Sequence, residues 1–371
     1  MYYRIVVVLC MTSALGVLSG QNVNKVNYPA FAESTRMEIK TPVRVNGYTV
    51  LKGDLHTHTY FSDGSVSPEM RVDEAWKTGL DVLAITDHIE YKTNRRYINS
   101  EDDNTSYDLA KGRAEERGII LIKGTEITRK HPTYGHFNAL FISDTNKLKI
   151  DDPKAAIAEA LAQGGFVFWN HPAWVVDTCQ IHPFQEDLLN NNMIQGIEVF
   201  NNNEFYPRAL KWAHEKKLTI FSSSDVHTSV YSNDGIHGAA CAISAPYHRP
   251  MTIILAKDTS QEAIKEALLQ RRTIAYFSGH LAGEAGLLTD FFLASLSVNP
   301  ITQNETDITY RLTNCYDIPF MMSYEKTKIL LAAGRSVDVK MAKNVSVLEL
   351  KLHNIFIDEN EVLTVKLALK R

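Results

Sequence analysis

The chain reads as an α/β barrel followed by a small antiparallel β-domain, and three observations point there. Short apolar runs alternate with helical segments of the length that parallel βα units require. Most of the residues able to ligate a metal fall just after those runs, where a parallel barrel collects its reactive groups. Beyond about Leu288 the apolar period changes to two, with turn residues between the runs.

The elements follow in order. Val50 to Asp54 reads as a first strand that leads into His56-Thr57-His58. Ser67-Pro68 opens a helix through Trp76, with serine as N-cap, proline at the first helical position and Gly79 as the stop. Val82 to Ile85 is the next strand and delivers Asp87-His88 at its end. A helix over Tyr107 to Arg117 precedes a strand over Ile119 to Ile122, after which Glu126 follows. His136 to Phe141 reads as a strand whose histidine stands at its beginning, against the trend of the others. Pro153 starts an alanine-rich helix that stops at Gly164-Gly165, and Phe166 to Trp169 then runs into Asn170-His171-Pro172. Gly196 to Phe200 is a strand, Pro207 to Lys216 a helix, and Leu218 to Phe221 a strand ending in Ser224-Asp225-Val226-His227. Thr259-Ser260-Gln261-Glu262 resembles a capping box for a helix ending near Arg271. In the last segment Ile308, Tyr310 and Leu312 alternate, as do Val337, Val339 and Met341, and Val345, Val347 and Leu350 continue the trend.

Length, charge and the first residues set the outer limits. At 371 residues the chain suits one large domain and one small one, over 48–285 and 286–371, after a polar linker at 21–47. Arg4, the apolar run Ile5 to Leu18 and the small residues Ser19-Gly20 read as an export signal over residues 1–20, too short for a comfortable membrane span. The expectation is a periplasmic or secreted protein with no stable membrane insertion once that signal is removed. A net charge of −4 provides no strong basic field for nucleic acid. Cys179, Cys241 and Cys315 are widely spaced and form neither a disulfide framework nor a thiolate metal site.

Chemistry concentrates in one set of residues. His56 and His58, at i and i+2 on extended backbone, face the same side and can reach one cation. Asp63, Asp87, His88, Glu126, His136, His171, Asp225 and His227 add imidazoles and carboxylates in the same strand context. A lone His pair is more often a solvated turn, but so many ligand types in register with strands make that reading improbable. Mixed His and carboxylate donors without thiolate suit Zn²⁺, Mn²⁺ or Fe²⁺. His131 reads as a solvated loop residue beside Pro132, and His353 as a structural histidine. Tyr91, Arg95, Arg96, Arg129, Lys130 and Arg208 are candidate phosphate contacts, each more simply a solvated side chain.

Gly53-Asp54-Leu55-His56-Thr57-His58, Ser62-Asp63-Gly64, Ile85-Thr86-Asp87-His88, Glu126, His136, Asn170-His171-Pro172 and Ser224-Asp225-Val226-His227 together resemble the PHP (polymerase and histidinol phosphatase) superfamily over residues 48–280. The resemblance implies a distorted seven-stranded (β/α) barrel and a site of two or three divalent metal ions that hydrolyses phosphoesters. It assigns His56, His58, Glu126 and Asp225 to a first ion. Glu126 bridges to a second, completed by His136 and His171, and Asp63, His88 and His227 hold a third. Asp87 is expected to orient a histidine rather than to ligate.

The leading function is therefore an exported metal-dependent phosphodiesterase or phosphatase acting on a small-molecule phosphoester. A related metallohydrolase cleaving carbamate or amide bonds is the alternative enzyme. A metal-stabilised binding module without activity is the alternative of another class, disfavoured because every ligand position carries a competent side chain.

Overall fold

A computed structural model describes residues 36–369 except 38, 99, 177 and 232–248. The expected export signal and the first part of the linker lie outside the described residues. Tyr48–Asp54 (β1) is buried over its last five residues, as its central place in the sheet demands. It is followed by Val82–Ile85 (β2), Ile120–Thr128 (β3), His136–Leu140 (β4), Phe166–Trp169 (β5), Gly196–Asn201 (β6) and Thr219–Ser223 (β7). Between them run Pro68–Lys77 (α1), Thr105–Arg117 (α2), Pro153–Ala162 (α3), Pro183–Asn190 (α4) and Pro207–Lys216 (α5). Four of these five helices begin on proline, whose missing N–H is no loss in a first turn. The side chain of Ser67 accepts from Met70 N at 3.1 Å, a cap worth about 1 kcal/mol.

β1, β2 and β3 pair parallel, β3, β4 and β5 antiparallel, and β5, β6 and β7 parallel again. The chain leaving β7 then returns to the chain leaving β1. Thr57 and Val226 form a parallel bridge, His58 N donates to Val226 O at 3.1 Å, and Asp225 N to His56 O at 2.9 Å. These contacts join the two ends of the seven-strand run at the place where the ligands lie.

One reversal explains His136. Because β4 runs antiparallel to β3, its first residue stands at the mouth that the other strands reach with their last, and His136 faces Thr128 in the ladder. The strand before it is longer than the sequence suggests. Ile119 to Ile122 was expected to end before Glu126, whereas β3 continues to Thr128 and carries Glu126 within it. Gly124 is no turn: a Cβ there would meet Leu140 Cδ2 at 3.0 Å and Thr86 Cγ2 at 3.1 Å, so glycine permits close packing inside a strand.

Met251–Ala256 (β8) pairs antiparallel with β1, and Thr273–Phe277 (β9) and His280–Gly283 (β10) extend that side. Gln261–Leu269 (α6) is capped by Ser260, and Ala285–Ser295 (α7) follows β10. The segment from 286 was expected to be β throughout. The first ten residues of it are helical instead, because Leu288, Phe291, Phe292 and Ser295 recur at helical spacing and are buried.

The strands of the C-terminal segment are Leu296–Gln303 (β11), Asp307–Asn314 (β12), Phe320–Tyr324 (β13), Thr327–Leu331 (β14), Ser336–Ala342 (β15), Val347–Asp358 (β16) and Glu361–Ala368 (β17). β11, β12 and β15 make a separate antiparallel sheet, while β13, β14, β16 and β17 attach to the barrel sheet through the parallel pair β10–β16. Ile308, Tyr310 and Leu312 are buried as their alternation predicts. The third run is out of phase with its prediction. Leu348, Leu350 and Leu352 face the core and Val347 is exposed, because Val345 lies in the turn before the strand and belongs to no alternation.

Candidate metal centre

Four side-chain atoms meet at the end of β1. His56 Nε2 and His58 Nε2 are 3.1 Å apart. Each is 3.3 Å from Glu126 Oε2, and they are 3.1 and 3.0 Å from Asp225 Oδ1. Two donors about 2.0–2.2 Å from one tetrahedral ion stand roughly 3.3 Å apart, so these edges have the size of a single coordination shell. Asp225 Oδ1 is buried without a hydrogen-bond partner despite these neighbours. An acceptor oxygen buried among other donor atoms without a hydrogen bond of its own is what a cation between them would satisfy.

The other oxygen of Glu126 faces a second group. His136 Nδ1 lies 3.0 Å and His171 Nε2 3.7 Å from Glu126 Oε1, and His171 Nε2 is 3.8 Å from Asp225 Oδ2. His136 Nδ1 is likewise buried with no hydrogen-bond partner. The group here whose donors all converge comprises His56, Glu126 and His171, with His136 adjoining it through Glu126. A third group gathers around Asp63, whose oxygens are 3.5 Å from His88 Nε2 and 3.3 Å from His227 Nε2. His58 joins that group as well, stacked on His227 with centroids 4.1 Å apart. All nine expected ligands therefore stand in one continuous cluster, and His58 touches two of its groups.

Charge is distributed accordingly. Burial alone would raise the carboxyls of Glu126 and Asp225, but the surrounding imidazoles outweigh it and hold both well below the usual range. The same balance, with His227, His58 and His88 as the imidazoles, lowers Asp63 to about 2. Burial works against charge on His88, yet Glu126, Asp63 and Asp225 push its pKa up to about 9.

A further layer fixes these donors in place. Glu198, fully buried in β6, holds His56 Nδ1 at 2.9 Å and accepts from the backbone N of His171 and from Asn201 Nδ2, both at 2.8 Å. That contact directs His56 Nε2 into the four-atom cluster. Asn170 Nδ2 donates to Glu126 Oε1 at 3.0 Å. The guanidinium of Arg71 is buried on α1 and donates to the carbonyls of His58, Val226 and Thr228, tying the two ligand-bearing segments together. Asp54 accepts from Ser224 N and from Arg249 Nη2, 3.1 and 2.6 Å away. Asp225 and His171 have φ of +52° and +24°, left-handed conformations that side chains other than glycine seldom adopt and that gather at functional sites. Gly64 is needed for close approach, since a Cβ would lie 2.8 Å from Thr59 O and 2.9 Å from His58 O.

Three sequence expectations change. Asp87 orients no histidine directly. Its oxygens accept from Thr59 N, Thr59 Oγ1 and Ser62 Oγ, each at 2.7 Å, and so shape the turn that carries Asp63. Glu198 has the orienting role instead. His131 is not a solvated loop residue but half-buried against Trp174, with its pKa lowered to about 4 by burial and by His171 and His136. Of the candidate phosphate contacts, Tyr91, Arg129 and Lys130 line a cavity of about 670 Å³ over the cluster, with His131 and Trp174. Arg95 pairs with Glu101, Arg96 lies over Tyr97, and Arg208 pairs with Glu359 in a different depression. His353, which is exposed, is hydrogen-bonded to Ser323 Oγ at 2.9 Å.

Known proteins place this site in a family. Residues 54–286 match the PHP domain model. A two-domain protein from Bacteroides vulgatus, described as containing a predicted PHP-like metal-dependent phosphoesterase, is similar in structure with a TM-score of 0.83 and 35% identity. That match covers 91% of this chain and 100% of the other. Shorter stretches resemble a 5'-3' exoribonuclease of Haemophilus influenzae, 39% identical over 77 residues, and an error-prone DNA polymerase of Nocardia farcinica, 30% identical over 103 residues. Those matches take in 21% and 27% of this chain but only 23% of the exoribonuclease and 8% of the polymerase. With a family model matched over more than half its length and the donors assembled on its mouth, the chain belongs to the PHP domain family.

Proposed function

We propose that this protein hydrolyses phosphoesters, diesters first and monoesters as a second class, at a centre of two or three divalent ions drawn from zinc, manganese and iron. The observation that carries the reading is Glu126, which presents one oxygen to each of two donor groups. Such ions, when bound, supply Lewis acidity toward phosphoryl oxygens and an activated water at neutral pH. His56, His58, Glu126 and Asp225 would hold one of them, and Glu126, His136 and His171 the next, with Asp63, His88 and His227 as the third set. The Bacteroides relative, aligned over its whole length and described as a predicted phosphoesterase, supports the same class of substrate.

The chain's own residues then position and screen. Lys130 is exposed on the cavity rim beside Arg129, which is paired with Glu90. An anionic ester is thereby drawn toward the donor cluster without a dense positive field. No serine or cysteine is among the described residues lining the cavity, and the reading is direct attack of water on phosphorus, without a phosphoenzyme. Export to the periplasm or medium, suggested by the N-terminal apolar run, is part of the proposal.

The test is a panel of phosphomonoesters, phosphodiesters and carbamate esters offered to purified protein whose metal content is measured in the same sample. Phosphate or alcohol release that follows metal content supports the reading, with inversion at a chiral phosphorus in isotopically labelled water. Turnover of the carbamates alone would shift it to attack on a carbonyl carbon, the carbamate or amide hydrolase reading, and retention at phosphorus would exclude direct attack.

A further inference from the structure

The cavity has a built aromatic wall on one side of the donor cluster. Trp174 is 41% exposed, while Trp169, five residues earlier, is buried at 1%. Its ring stands 5.4 Å from His136, 5.5 Å from His171 and 5.9 Å from His131, centroid to centroid. A singly exposed ring is ordinary on a protein surface, but this one lines the cavity over the donor cluster. The backbone around it is held in an unusual form. His171 and Val175 both lie at positive φ, +24° and +56°, and a β-branched residue in that region is a genuine outlier. Val175 is itself 69% exposed, so no packing of its side chain compensates. The turn is pinned by Trp174 N to His171 O at 2.9 Å and Val176 N to Ala173 O at 3.2 Å. Strain maintained in a turn whose product is an exposed indole over the site suits a ligand clamp.

We propose that Trp174, backed by His131, is a stacking shelf, and that the substrate is a phosphoester carrying a planar aromatic ring on one short link from phosphorus. This rests on the phosphoester reading above and specifies its substrate. The length of the link follows from the geometry. The indole centroid is within 5.5 Å of the His136 and His171 rings, so a ring stacked on it lies within one small linker of a phosphate seated at the donor cluster to which those histidines belong. Lys130, adjoining His131 on the same lip, has no carboxylate partner among the described residues and meets the ester's remaining negative charge.

The experiment compares two esters of similar size, a benzyl and a cyclohexylmethyl phosphoester, with metal-replete wild type, Trp174→Ala and Trp174→Phe. The flat ring is expected to lower KM about three- to tenfold relative to the puckered ring, the size of an aromatic pair. That ratio should collapse toward one in Trp174→Ala and persist in Trp174→Phe. Benzylphosphonate should quench tryptophan emission in wild type and not in Trp174→Phe, a readout independent of turnover. Equal KM values for the two esters in wild type, or a ratio unchanged by Trp174→Ala, would overturn the shelf while leaving the phosphoester reading intact. Absence of phosphoester turnover together with phosphonate quenching at Trp174 would instead refute that reading and keep the shelf.

Discussion

The barrel mouth and the C-terminal strands bury opposite kinds of residue, although one chain builds both. At the mouth His56, His58 and Glu126 are wholly buried, carboxylates face imidazoles at about hydrogen-bond distance, and two of the clustered residues, His171 and Asp225, sit in left-handed backbone. In the C-terminal strands the interior is Leu348, Leu350, Leu352, Leu363 and Val365, with charges outside in pairs such as Arg311–Asp338. The second arrangement lowers free energy by removing apolar surface from water. The first is unfavourable for folding unless something satisfies its donors. A region that keeps strain and buried charge where apolar packing was available is organised around a ligand, and its neighbour around stability.

Substitutions in the two regions should accordingly fail in different ways. Asp225→Asn or Glu126→Gln should leave the chain folded and lower kcat/KM by more than ~100-fold, beyond the range for residues that merely orient ligands. Circular dichroism together with kinetics and metal analysis checks this, and retained activity would break the contrast. Leu350→Ala should destabilise by about 2–5 kcal/mol in denaturant unfolding, the cost of a core cavity, with metal content per folded molecule unaltered. Glu198→Gln, which leaves all nine donors in place, should weaken metal binding ~10–100-fold in a competition titration with a chromogenic chelator.

Proton linkage sharpens the same contrast. With His88 raised to about 9, its charged form favours the metal-free fold below about pH 6.5, the usual imidazole value, and that contribution fades as pH rises through 9. A metal needs the imidazole neutral, so apparent metal affinity should climb between those pH values, with protons released on loading. Calorimetry in two buffers of different ionisation enthalpy measures the release. The smallest effect belongs to Arg311→Ala, whose exposed, solvent-screened pair should leave the unfolding midpoint nearly unchanged and metal binding unaltered.

The alternation of strands and helices, and the donors at strand ends, were legible because each is a local pattern. β2, β5 and α5 stand at their expected residues, and the nine donors share one mouth. What was illegible depends on partners far along the chain. Glu198 serves His56 from 142 residues away, and nothing near it signals that role. The available hint was a lone carboxylate inside the otherwise apolar run Gly196 to Phe200, which in a buried parallel strand requires a partner. Arg71 gave a similar hint on the buried face of α1. Asp87 misled because a carboxylate next to a ligand histidine resembles an orienting group, whereas its strand end faces the 59–62 turn. His131 misled because Pro132 suggests a solvated loop, and only Trp174, 43 positions later, reveals the wall it belongs to.

The central claim is that Glu126 joins two ions, one of them shared with His56, His58 and Asp225. Anomalous diffraction from crystals grown with manganese or zinc tests it directly. A peak should lie about 2.0–2.2 Å from His56 Nε2, His58 Nε2, Glu126 Oε2 and Asp225 Oδ1, with a second about 3.5–4 Å away on the Oε1 side. Density confined to one position, or ions that Glu126 does not touch, would contradict the account.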